Sequence, residues 1–118
     1  MPDALPVSEL PPGLFAQGMQ HLGQGRAAQA EACFRQVLSV HSKHAAAHQF
    51  LGAAMLQQGR TEEACQWMRR SVALMPVHAS WFSNLAVAEA AAGHADASEQ
   101  AKTRAEQLKA PTAEVTGG

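Results

Sequence analysis

The chain carries almost no excess charge: 9 lysines and arginines against 10 aspartates and glutamates leave a formal −1 at neutral pH. Without a long-range field there is little to attract nucleic acid or anionic lipid, and neither partner is expected. Two cysteines, Cys33 and Cys65, are too few for a disulfide framework and match no metal-ligand spacing. They read as small buried hydrophobes in a reducing compartment. No stretch approaches the roughly 18 consecutive apolar residues of a membrane span. The first residues, Met1 to Pro6, hold neither a basic segment nor an apolar run, so no secretory signal is expected and the cytoplasm is the expected location. Catalytic signatures are missing as well. There is no glycine-rich phosphate loop after a strand and no nucleophile elbow. Cys33 and Cys65 fall among residues that pack, which argues against a thiolate nucleophile, so no enzyme and no cofactor are expected.

What is present is a period. Gly25, Gly59 and Gly93 stand 34 residues apart, in Gln24-Gly25-Arg26, Gln58-Gly59-Arg60 and Ala92-Gly93-His94. Five residues after each glycine comes a small residue (Ala30, Ala64, Ser98), and seven before it another (Gly18, Gly52, Ala86). A fixed period in this range marks a stacked repeat array. With 118 residues, 47% hydrophobic and 16% charged, the chain is one folded domain whose core must run continuously along the stack.

Pro2, Pro6, Pro11 and Pro12 make the start an extended lead-in, assigned to 1–10, and the tail over 111–118 shows no periodicity. Between them the pattern predicts six helices in three pairs, over 12–24 and 27–41, 45–58 and 61–75, 79–92 and 95–109. The repeats then span about 11–44, 45–78 and 79–110. The middle pair shows why. His48, Leu51, Gly52 and Met55 share one helix face. Gly59 ends that helix, and Thr61-Glu62-Glu63 opens the next with carboxylates at the positive end of its dipole. Ala64, Met68, Ser71 and Val72 form the facing stripe, small residues let the backbones approach, and Pro76 stops the pair.

These residues, from Ala45 through Gly52, Gly59 and Ala64 to Pro76, resemble a tetratricopeptide repeat, a family of antiparallel helix pairs with a 34-residue period. The outer units depart at Gln17, Val37, Ser42 and Ser98, and Ala110-Pro111 arrives one residue late, without breaking register. The resemblance implies an all-α fold, an α-solenoid of three antiparallel helix pairs. The columns Phe34/Met68 and Leu38/Val72 end in Lys102 and Glu106, so the third pair is expected to cap the array; the alternative is the front of a longer solenoid.

In this family the first helix of each pair lines a concave groove that binds peptides. By register, the groove residues here are Phe15, Met19 and Leu22, then Gln49, Ala53 and Leu56, then Ser83, Val87 and Ala90. They hold no lysine or arginine, which disfavours the carboxylate clamp of the chaperone-tail class. Asn84 matches the asparagine ladder of arrays attached to protein O-glycosyltransferases, although the equivalents Ala16 and Phe50 leave one rung. Phe50, Trp67 and Trp81 are weighted toward packing. Of six histidines, His44 and His48 share i, i+4 spacing but no third ligand follows, and His44 and His78 fall one period apart, as turn positions do. Arg69-Arg70 with Glu62-Glu63 reads as a solvated outer face.

The expected function is a protein–protein interaction module, an adaptor that binds an apolar peptide or amphipathic helix in the groove. Two other readings stand beside it: a small chaperone of a secretion-type substrate, and a substrate-docking segment related to repeat-bearing glycosyl- or sulfotransferases. Weak self-association stays open.

Overall fold

The structure is a computed structural model and describes residues 13–110. The expected lead-in over 1–10 and tail over 111–118 lie outside the described residues. Six helices follow one another: α1 (Leu14–Gly23), α2 (Ala27–Val40), α3 (Ala45–Gln57), α4 (Thr61–Leu74), α5 (Ala79–Ala91) and α6 (Ala95–Lys109). Among the described residues there is no strand, and no helix is long and apolar enough to cross a membrane.

Each pair is made by the same turn. Gly59 takes φ +79°, a left-handed conformation that any Cβ would strain, and Gly25 and Gly93 sit likewise at +76° and +84°. The turn then folds back on the helix it ends. Arg26, Arg60 and His94 donate their backbone N–H to the carbonyls of His21, Met55 and Glu89 at 2.8, 2.9 and 2.8 Å. This six-to-one bond satisfies carbonyls that a helix end otherwise leaves free. Three equal turns therefore give three equal hairpins.

Inside a hairpin the helices cross at small residues. A Cβ on Gly52 would lie 2.7 Å from Met68 Cγ and 2.9 Å from the backbone oxygen of Ala64; one on Gly18 would lie 2.6 Å from the Phe34 ring. In the third pair Ala86 holds this place, and Ser98 Oγ donates to its carbonyl at 2.8 Å. The core runs through all three pairs, with Phe34, Leu51, Met55, Met68 and Cys65 fully buried. A smaller cluster of Leu14, Val37 and Ala47 closes its front end. The four residues assigned to one face of α3, His48, Leu51, Gly52 and Met55, are all buried. Along one edge the rings of Phe15, Phe50 and Trp81 step from pair to pair with centroids 6.2 and 6.4 Å apart. Such tilted aromatic contacts each add a little beyond the area they bury.

The crossing and the helix ends respond to alanine with opposite sign. Gly52→Ala is expected to lower stability by about 1–3 kcal/mol, because a backbone oxygen cannot move aside and overpacking outweighs the gain in helix propensity. Gly23→Ala, in helical conformation with open space around it, is expected to raise stability by roughly 0.5–1 kcal/mol. Urea unfolding of both variants checks the pair of signs.

Candidate functional site: a concave cleft backed by interpair ties

Between the first helices of the pairs opens a cleft of about 310 Å³. Its lining is apolar: Leu22 from α1, Phe50, Ala53 and Leu56 from α3, Met68 from α4 and Val87 from α5. Gln57 and Asn84 are its polar members, and no cation lines it. Val87 is 60% exposed, unusual for a valine on a helix of a packed array. A second recess of about 430 Å³ lies between α5 and α6, lined by Ser83, Ala86, Val87 and Ala90 with Ser98, Lys102, Ala105 and Glu106. Val87 borders both recesses.

The residues assigned to the groove by register thus separate into groups. Leu22, Ala53, Leu56, Asn84 and Val87 meet in the cleft, while Ser83 and Ala90 join Val87 in the second recess. Phe15 and Met19 are half-buried and pack against the core. Gln49 must be corrected. It is fully buried, its Nε2 donates to Ser71 Oγ at 2.6 Å, and its Oε1 accepts from Asn84 Nδ2 at 3.1 Å. The small Ser71 leaves room for the amide and offers it a partner, so Gln49 turns inward and ties α3 to α4 and α5. Asn84 spends one donor on this tie.

A second set of interpair contacts is made by charge. Arg69 of α4 donates from Nε and Nη2 to both carboxylate oxygens of Glu89 in α5, at 2.8 and 2.7 Å. Such a two-point fork is the strongest form of ion pair. His94, just before α6, lies 2.7 Å from Glu89 through Nδ1 and 3.0 Å from Glu62 through Nε2. The Arg69 fork, outweighing the opposing effect of burial, holds the Glu89 carboxyl down to about 2, with further help from His94 and Cys65. Burial, and then the carboxylate beside it, pushes the Cys65 thiol up to about 11, which disfavours the thiolate at neutral pH.

Cys65, Glu89 and His94 thus gather a thiol, a carboxylate and an imidazole within 4.8 Å of one another. Their place in the repeat explains the grouping. One period earlier the same positions are Glu31, Met55 and Arg60, and there Arg60 Nη1 meets Glu31 at 2.8 Å. Burial pushes the Glu31 carboxyl up, but hydrogen bonds from Gln58, Arg35 and Arg60 overcome it and hold the group below its usual range. Both clusters join one pair to the turn of the next. Glu89 is already engaged on both oxygens by Arg69, which makes its cluster an interpair tie.

The reading of Arg69-Arg70 and Glu62-Glu63 as a mere solvated face is corrected accordingly. All four are exposed, yet Arg69 pairs with Glu89, Glu62 with His94, Glu63 with Arg60 at 2.8 Å, and Arg70 lies 4.7 Å from the Trp67 ring centre. Glu89 was missed because its partners lie 20 and 5 residues away. The available signal was a lone carboxylate inside Val87-Ala88-Glu89-Ala90-Ala91. Trp81 is buried and His78 stacks on it at 4.3 Å. His44 and His78 cap α3 and α5, and His44 Nδ1 accepts the Ala47 N–H at 3.0 Å. His48 Nε2 lies 2.8 Å from the Ser42 carbonyl, so the i, i+4 histidines serve the turn.

The sequence profile of the tetratricopeptide repeat family matches residues 15–77. The chain belongs to that family. Solved structures with the same architecture include MamA, 21% identical over 81% of this chain and 56% of that one, with a TM-score of 0.77. A MamA segment from Desulfovibrio magneticus RS-1 is 18% identical over 81% of this chain and 54% of that one, with a TM-score of 0.76. The second repeat domain of Spaghetti (RPAP3), bound to the HSP90 peptide SRMEEVD, is 16% identical over 82% and 90%, with a TM-score of 0.78. At these identities the likeness shows the fold. This chain spans about half the length of the MamA chains it matches. No protein of curated function matches it.

The Glu89 tie gives the fold an acid limb. A carboxyl whose folded pKa lies below its unfolded value stabilises the fold above that unfolded value and ceases to as pH falls. Here the window runs from about 4.5 down to about 2. The loss is expected to be on the order of 2 kcal/mol, reduced from the full shift because Arg69 is half exposed. Glu89→Gln is expected to flatten this limb while lowering stability at neutral pH. Urea midpoints measured across that window check both.

Proposed function

We propose that this chain is a protein-interaction module that seats an apolar anchor of another protein, carried on an amphipathic helix or an extended segment, in its concave cleft. The observation that carries this reading is the cleft itself: six apolar side chains, no cation, and Val87 left 60% exposed on its wall. A cleft near 300 Å³ is at the small end of binding pockets and suits one or two hydrophobic anchors rather than a whole ligand. The peptide on the RPAP3 domain, SRMEEVD, carries three carboxylate side chains. Nothing lining the cleft here supplies the lysines or arginines that would meet them. The partner of this chain is therefore apolar in its anchoring part, and Asn84, whose carbonyl oxygen remains available, orients it by a hydrogen bond. Two free thiols suit a reducing compartment, and we place the module in the cytoplasm.

Selection from a displayed random-peptide library, followed by anisotropy titration, tests this. Selected peptides are expected to share hydrophobic residues at one helical or alternating spacing, and SRMEEVD is expected to bind far more weakly. Leu56→Glu or Val87→Glu is expected to weaken binding at least about tenfold, or about 1.4 kcal/mol, with the helical spectrum unchanged. Equal affinity of wild type and both variants, or preference for the acidic peptide, overturns the reading.

A further inference from the structure

The packing rule of the array identifies one helix face that none of the described residues covers. The second helix of each pair turns a stripe toward the first helix of the next. On α2 that stripe is Glu31, Phe34 and Leu38, and on α4 it is Cys65, Met68, Arg69 and Val72. Phe34, Cys65 and Met68 are buried, Leu38 and Val72 are half-buried against the core, and Glu31 and Arg69 bond to Arg60 and Glu89 of the following pair. One period on, the stripe of α6 is Glu99, Lys102, Thr103 and Glu106, continued by Lys109, and every one of these is exposed. The apolar column has become a row of alternating charge.

The order of those charges is self-complementary. Lys102 and Glu106 stand two residues either side of position 104, and Glu99 and Lys109 five residues either side of it. A second copy of α6, laid antiparallel about a two-fold axis at that position, sets Lys102 against Glu106 and Glu99 against Lys109, twice each. Arg104 does not obstruct this, since it reaches toward α5, 6.0 Å from the Phe82 ring centre. Among the described residues of one chain these charges find only i, i+3 neighbours: Lys102 lies 3.2 Å from Glu99, and Lys109 lies 4.0 Å from Glu106. Exposed pairs of that kind contribute little and exchange partners readily.

We infer that the outer face of α6 is a homodimer interface, in which two copies meet antiparallel about a two-fold axis through residue 104. The interface is isologous, so it closes at two copies and does not propagate. It goes beyond the cleft reading and uses different residues.

Sedimentation of the full chain from micromolar to millimolar concentration tests this. A reversible shift from one chain to two, weakened by added salt, is expected. Lys102→Glu or Glu106→Lys alone places like charges opposite each other at two symmetric sites and is expected to weaken association at least about tenfold. The double swap, Lys102→Glu with Glu106→Lys, restores complementarity and is expected to restore the dimer. All these positions are exposed, so folding is not at stake, and affinity for a selected peptide in the cleft is expected to be unchanged. A chain that stays single at every concentration, or a dimer indifferent to these swaps, overturns the proposal. A dimer lost instead on Leu56→Glu assigns the contact to the cleft and overturns it equally.

Discussion

Two helices of a hairpin can lie close only where neither carries much side chain, and this closeness at Gly18, Gly52 and Ala86 governs the rest of the molecule. With Met68 Cγ and the Ala64 carbonyl already at contact distance from a Cβ at residue 52, the crossing point admits no freedom. It fixes which side of α1, α3 and α5 turns inward. One helical turn beyond the crossing, on the same helix face, come Leu22, Leu56 and Ala90. The first two line the cleft and the third the recess beside it. The open surface is thus a consequence of how tightly the hairpins close.

Neighbouring hairpins are coupled by two different kinds of contact on opposite edges. On one edge Phe15, Phe50 and Trp81 pass the core from pair to pair. On the other, a charged tie recurs at each junction, Glu31 with Arg60 and then Glu89 with Arg69 and His94. In a linear array stability is the sum of hairpins and the contacts between nearest neighbours. The ties matter most for what their loss leaves behind, because a buried carboxylate without its cation is far costlier than the pair is stabilising. Glu89 is nearly inaccessible, so the junction of the second and third pairs depends on Arg69 more than its exposed position suggests.

The architecture was legible because it depends on residues whose meaning is local. A glycine that must take positive φ, a small residue at a crossing and a proline that ends a pair act through their own backbone. Their recurrence at 34 residues therefore fixed six helices and their pairing. Gln49 and Glu89 were illegible for the complementary reason. Register says which way a backbone position faces, but a long polar side chain goes where a partner is, and Ser71 and Arg69 are 22 and 20 residues away. Leu56 and Val87 could be placed by register because an apolar side chain has no such partner to seek. Asn84 stands between these cases, with one donor drawn inward to Gln49 and its carbonyl oxygen left for the cleft.

Charge is allocated unevenly over this nearly neutral chain, and the allocation separates its surfaces. No lysine or arginine lines the cleft. Elsewhere Arg35, Arg60 and Arg69 are engaged with Glu31, Glu63 and Glu89. Around them Arg70 and Arg35 flank Trp67, at 4.7 and 5.7 Å from its ring centre. On the outer stripe of α6 the lysines, among the described residues, pair only with glutamates of their own helix. A surface whose charges are already neutralised across a junction offers a newcomer only the penalty of desolvation. One whose pairs are loose and exposed can trade them for equal pairs across an interface. As proposed, an apolar guest and a second copy are selected by different physics on different faces, and salt acts on the second contact without acting on the first.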